Sequence, residues 1–147
     1  MFGLRGGVQL VEKLRNCASA YNAWVTILDD NGKPNNGPFE ASRTIITLDP
    51  TTLKPKERFD YLLYGQFMKF IRRGGQRIAS AGNDKTLAHV AFRNPNGEIM
   101  VVVVNNNHAD KPVTISWNGS NAVTRLPARA VGTFVWNSTT GSTQGLP

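Results

Sequence analysis

The chain has 147 residues, of which 40% are hydrophobic, 18% charged and 9% aromatic. That is the length and make-up of one ordinary globular domain, which excludes disorder throughout, and the longest apolar run, Ile99 to Val104, is too short to cross a bilayer as a helix. A net charge of +7 raises nucleic acid or an anionic surface as a partner, but the basic residues are scattered and lack the interleaved aromatics of a stacking platform, so no nucleic-acid partner is expected.

The first residues, Met1 to Arg5, have no long apolar core behind them and read as carrying no secretory signal, while export of a longer parent stays open. From Val8 to Ala20, Leu10, Val11, Leu14, Cys17 and Ala18 recur at helical spacing. This predicts an amphipathic helix with Cys17, the one cysteine, as a small core residue. The nearly continuous apolar run Tyr21 to Leu28 reads as a strand covered on both faces, as in a parallel sheet. Asp29-Asp30-Asn31-Gly32 is turn chemistry, and the two prolines of the stretch Lys33 to Phe39 keep it a loop.

Thr44 to Leu48 is a second short strand. Glu57 to Ile71 reads as a helix with two apolar stripes, one through Phe59, Leu63, Phe67, Phe70 and Ile71 and one through Tyr61, Tyr64 and Met68. Such a helix belongs between two layers. The group Arg72, Arg73 and Arg77, with Lys69 before it, fits a helix C-terminus. After Gly74-Gly75 the period becomes that of strands: 76–80, 87–93, 98–105, 112–117, 122–126 and 130–136, separated by turn signals. This predicts an antiparallel sandwich, and residues 138–147 read as a frayed tail.

Local motifs give little chemistry. His89 and His108 have no carboxylate or thiol at ligand spacing, no glycine-rich phosphate loop joins a strand to a helix, and no serine sits in a nucleophile elbow. No cofactor and no metal is expected. Asp29 and Asp30 follow the buried strand, where a barrel enzyme would place catalytic groups, but a glycosidase needs two carboxylates across one bond. Trp24, between the helix and the Pro/Asn loop, reads equally as core or as a sugar-stacking surface.

Four stretches in order carry a resemblance: Tyr21-Asn22-Ala23-Trp24-Val25-Thr26-Ile27-Leu28 with the loop Gly32 to Phe39; Tyr64 to Ile71 with Arg72-Arg73-Gly74; Val90 to Pro95 and Val101 to Asn105; and Leu126-Pro127-Ala128 with Thr133 to Trp136. Together they resemble the C-terminal portion of glycoside hydrolase family 30, the glucosylceramidase family. The resemblance implies a (β/α)8 barrel with a side β-sandwich and a retaining mechanism on two glutamates, both upstream of Met1. The chain is then mainly β. Residues 1–73 would be the remnant of the barrel C-terminus, 74–137 the sandwich and 138–147 the tail.

The same resemblance implies that Trp24 lines the glycone pocket at the mouth of the last barrel strand and that Asn35 lies on its rim, both as substrate-binding residues. No catalytic residue is expected in this chain, because Glu12 and Glu40 match neither catalytic motif. The partners so implied are a β-linked glycoside, through the parent enzyme, and the missing N-terminal barrel, with self-association as the substitute. The competing function is an independent binding or interaction module that uses a sandwich face or the basic group at Arg72, Arg73 and Arg77.

Overall fold

A computed structural model describes residues 3–37 and 44–137; the expected tail and Glu40 lie outside them. The order of elements is α1 (Gly3–Arg15), β1 (Ile27–Asp29), β2 (Ile46–Leu48), β3 (Pro55–Glu57), α2 (Phe59–Met68), β4 (Gln76–Ile78), β5 (Leu87–Arg93), β6 (Glu98–Asn105), β7 (Lys111–Trp117), β8 (Ser120–Leu126) and β9 (Ala130–Asn137). The fold is mainly β. A four-stranded antiparallel sheet in the order β4-β5-β6-β9 faces the two-stranded hairpin β7-β8, and a separate small sheet runs β1-β2-β3.

The strand β6 explains the layering. Its residues are apolar on both faces, as a central strand requires, and alternation sends Met100, Val102 and Val104 one way and Val101 and Val103 the other. On the first side they join Val90 and Phe92 and are covered by Leu4, Leu10 and Val11 of α1 and by Leu63 and Phe67 of α2. On the second side Val103 packs with Val113 and Leu126 of the hairpin. The hydrophobic core therefore crosses the boundary expected between residues 73 and 74, since both helices cover the sandwich sheet.

Several local expectations are corrected. The first helix starts five residues before Val8 and ends at Arg15, and Gly7, a poor helix former in isolation, sits where the helix needs a flat side. A Cβ on Gly7 would lie 3.0 Å from Leu63 Cδ1 and 3.4 Å from Val104 Cγ2. Gly7→Leu is thus expected to force this contact apart and lower stability by about 1–3 kcal/mol, read as a fall in the urea midpoint at constant slope.

Cys17 is exposed and has a left-handed backbone, φ 67°. It is not a core residue but part of the helix stop: its amide donates to Leu14 O at 3.3 Å and that of Ala18 donates to Lys13 O at 3.0 Å, a Schellman closure with cysteine where glycine is usual. Arg15 fastens this end to the sandwich. Its Nη1 donates to Ser80 O and Oγ at 3.2 and 3.1 Å and to His89 O at 3.2 Å.

The strand expected over Tyr21 to Leu28 shortens to β1, in which only Leu28 is buried. Among the described residues its strand neighbour is β2, in parallel register, and Trp24 and Ile27 stay exposed. The second strand shortens to Ile46–Leu48, and an unexpected strand, β3, takes up Pro55 to Glu57 antiparallel to it. Helix α2 consequently starts at Phe59 and stops at Met68. Its first stripe is buried at Leu63 and Phe67, whereas Tyr61 and Met68 of the second stripe are exposed.

The chain beyond α2 is held by Asn94 from the β5-β6 turn, which accepts from the Arg72 amide at 3.0 Å and donates to Phe70 O at 2.9 Å. Arg72 itself reaches Glu98 at 3.6 Å, so the arginine group does not sit on one helix end. The strand expected over Gln76 to Ser80 ends at Ile78. The other sandwich strands lie where the sequence places them, to within two residues.

Candidate functional site

Trp24 lies three residues before β1 and Asn35 six residues after it, in the loop that leads towards β2. The small sheet is what positions both. Val25 and Thr26 accept from the Ile45 and Ile46 amides at 3.1 and 3.0 Å, which ties the backbone just after Trp24 to the start of β2. Trp24 is 87% exposed, the highest value among the large apolar side chains described, so of the two readings of this indole the core reading does not hold within this chain. It precedes β1 rather than standing at its C-terminal end.

Past β1 the turn is closed by Asp29, whose Oδ1 accepts from the Asn31 and Lys33 amides at 2.8 and 2.7 Å. Asp30 pairs with Lys56 of β3 at 3.1 Å, and Asp49 lies 3.7 Å from the same ammonium. Both carboxylates after β1 are therefore engaged in turn and ion-pair chemistry. Asn35 is half-buried and ends its own turn, accepting from the Gly37 amide at 3.2 Å. Beneath the sheet edge, the rings of Tyr21 and Tyr64 meet at 5.9 Å between centroids. Burial, then the hydrogen bond with the Tyr21 hydroxyl, pushes the Tyr64 phenol up from its ordinary range.

Exposed apolar residues gather on this part of the chain. Trp24, Ile27, Leu53, Phe59, Tyr61, Leu62 and Met68 are all exposed, while the sandwich exposes only Val123 and Val135 among the large apolar side chains described. Among the described residues no group of three His, Cys, Asp or Glu side chains converges on a metal-sized site. Among the described residues the arrangement offers an exposed indole face at Trp24, while Asp29 and Asp30, which follow it in sequence, are held in a turn and an ion pair.

Residues 74–134 match the glycosyl hydrolase family 30 beta sandwich domain. This segment is similar to that family's sandwich domain. The likeness extends beyond it: the mouse (Mus musculus) lysosomal acid glucosylceramidase is 29% identical over 137 residues, covering 91% of this chain and 26% of that protein. SrfJ from Salmonella typhimurium superposes with a TM-score of 0.85 at 21% identity, over 91% of this chain and 30% of that one. The catalytic domain of the family 30 xylanase C from Talaromyces cellulolyticus gives 0.74 at 22% identity, over 90% and 34%. The chain thus spans about a quarter to a third of the length of these proteins, and the two structural likenesses speak for the shared fold.

Sequence reasoning missed the polar residues that hold the sandwich together at its turns. Asn105 is fully buried at the end of β6, and its Nδ2 donates to Ala109 O, Leu126 O and Pro127 O at 3.0, 3.1 and 2.8 Å. Its Oδ1 accepts from the Asn107 amide and side chain at 3.1 and 2.8 Å. An asparagine ending an apolar strand was the available signal, but its partners lie up to 22 residues away in sequence.

Proposed function

We propose that the chain is the C-terminal part of a retaining β-glycosidase, supplying the sandwich and one wall of the sugar pocket, and that it is not catalytic alone. The observation that carries this reading is that the likeness to a glucosylceramidase runs over 91% of the chain, well past the sandwich and through Trp24 and Asn35. The exposed apolar residues before residue 73 support it, since a surface of that kind asks for a covering partner. That partner is the remainder of the barrel. Trp24 offers its indole face to a pyranose ring, and Asn35 on the following loop offers an amide to a sugar hydroxyl at the rim.

Aryl β-glucosides and glucosylceramide are expected to show no turnover with the purified 147-residue chain, because general acid/base and nucleophile must flank one glycosidic bond about 5 Å apart and Asp29 and Asp30 are held in a turn and an ion pair. Turnover that survives Asp29→Asn in clean protein would overturn this reading. The positive test is the reading frame upstream: a longer protein with two strand-end glutamates should hydrolyse a β-glycoside with retention, and a longer protein without them would end the proposal.

A further inference from the structure

The β7-β8 hairpin is closed by two residues, Asn118 and Gly119. Both have positive φ, 48° and 80°, the geometry that matches the twist of a hairpin and that asparagine and glycine adopt most readily. Trp117 pairs with Ser120 across the turn. Asn118, Gly119 and Ser120 are all exposed, and a Cβ placed on Gly119 would meet nothing within 4 Å. The Asn118 carboxamide has no hydrogen-bond partner among the described residues. The tip therefore projects into solvent, on the face of the main sheet opposite the one that α1 and α2 cover.

Asn118-Gly119-Ser120 has the chemistry of an N-glycan acceptor: a side-chain amide, a residue other than proline, and a hydroxyl two positions on. A second such triplet starts at Asn137, but Asn137 belongs to β9, paired with Glu98 of β6, and its hydroxyl residues lie outside the described ones. Asn118 is the triplet whose place in the fold is open. An oligosaccharide there would stand clear of the helix-covered face of the sheet.

The strand that leaves this tip is poorly protected. Six of the seven residues of β8 are exposed, Val123 at 75%, and among the described residues no strand pairs with its outer edge. With Trp117 and Ser120 as the hydrogen-bonded closing pair, the backbone groups of Asn121, Val123 and Arg125 point outward. Exposed edges are commonly blunted by proline, a bulge or charge; β8 has only Arg125, already paired with Asp110 at 3.2 Å. We infer that Asn118 takes an N-linked oligosaccharide in a eukaryotic secretory compartment and that the glycan screens the outer edge of β8 from a second copy of the chain. The donor is an oligosaccharide on a lipid diphosphate. Asn118 Nδ2 forms the bond to the sugar C1, the C1–O bond to the diphosphate breaks, the lipid diphosphate leaves with its electron pair, and the amide releases one proton. A bulky, hydrated group beside an open edge excludes a partner strand by volume. The sugar pocket plays no part in this, so the inference stands apart from the proposed function.

Secretion of the longer protein from a eukaryotic host tests both halves. Peptide N-glycosidase in heavy-oxygen water should convert Asn118 to a heavy-labelled aspartate, and Ser120→Ala, which keeps the Asn-Gly turn, should abolish the label. By light scattering, the Ser120→Ala protein or enzymatically stripped protein should self-associate at least about tenfold more tightly than the glycosylated form, a difference of about 1.4 kcal/mol. Val123→Lys, which puts a charge on the bare edge, should return the Ser120→Ala protein to the glycosylated level. An Asn118 that is secreted unmodified would overturn the inference. A modified Asn118 whose loss leaves self-association unchanged would overturn the screening role, as would association that Val123→Lys does not relieve. Stripping the folded protein supplies the same comparison if Ser120→Ala is not secreted.

Discussion

Asn105→Ala is expected to destabilise the chain by about 2–4 kcal/mol, the range for breaking a buried polar network whose remaining members stay buried. The substitution removes one donor from three carbonyls, Ala109 O, Leu126 O and Pro127 O, and the acceptor of both Asn107 groups. The loss falls where the β6-β7 connection and the β8-β9 connection meet, so both ends of the hairpin should loosen together. A urea series would show the midpoint fall, and exchange should rise at Leu126 and Asn107 before the β5-β6 pairing is affected. A variant within about 0.5 kcal/mol of the parent, the usual span of a neutral surface change, would mean that water replaces the amide without cost.

The second large effect concerns Trp24, and it separates two roles cleanly. In a longer protein of the proposed glycosidase kind, Trp24→Ala should reduce kcat/KM by about ten- to a hundredfold, which is the loss of roughly 1–3 kcal/mol of sugar stacking and positioning. Trp24→Phe should recover part of it. In the 147-residue chain the same change should leave stability within about 0.5 kcal/mol, because the indole is almost wholly exposed there. A longer variant that keeps full activity but melts earlier would place Trp24 in a core and remove it from the pocket.

What the sequence made legible follows from how local the governing physics is. The strands from Leu87 to Asn137 were readable because alternation and turn chemistry act over neighbouring residues, and the Asn118-Gly119 turn sets its own register. The segments before residue 73 obey distant partners instead. Gly7 packs against Leu63 and Val104, and the apolar run Tyr21 to Leu28, which reads as a covered strand, is buried only at Leu28 in the small sheet. Cys17 was misjudged because helical spacing continues past the true stop, which is a backbone conformation rather than a residue type. Trp24 could be read from its own context only as core or sugar-stacking surface, and its pocket role and the place of Asn35 came from the family resemblance, since neither solvent exposure nor the turn at Asn35 has a spacing that could be read.

The shared core has a consequence for where this molecule can be divided. A cut at the start of the family match, residue 74, would strip α1 and α2 from the sheet and bare Val90, Phe92, Met100, Val102 and Val104 to water. It would also free the Ser80 and His89 carbonyls that Arg15 now holds. The unit that inheritance marks and the unit that folds are therefore different lengths of chain: kinship is written in the strands, whereas cooperativity includes the two helices. An excised sandwich would be a different physical object, with a greasy face that invites aggregation, and grafting or expressing this domain calls for carrying the helices with it.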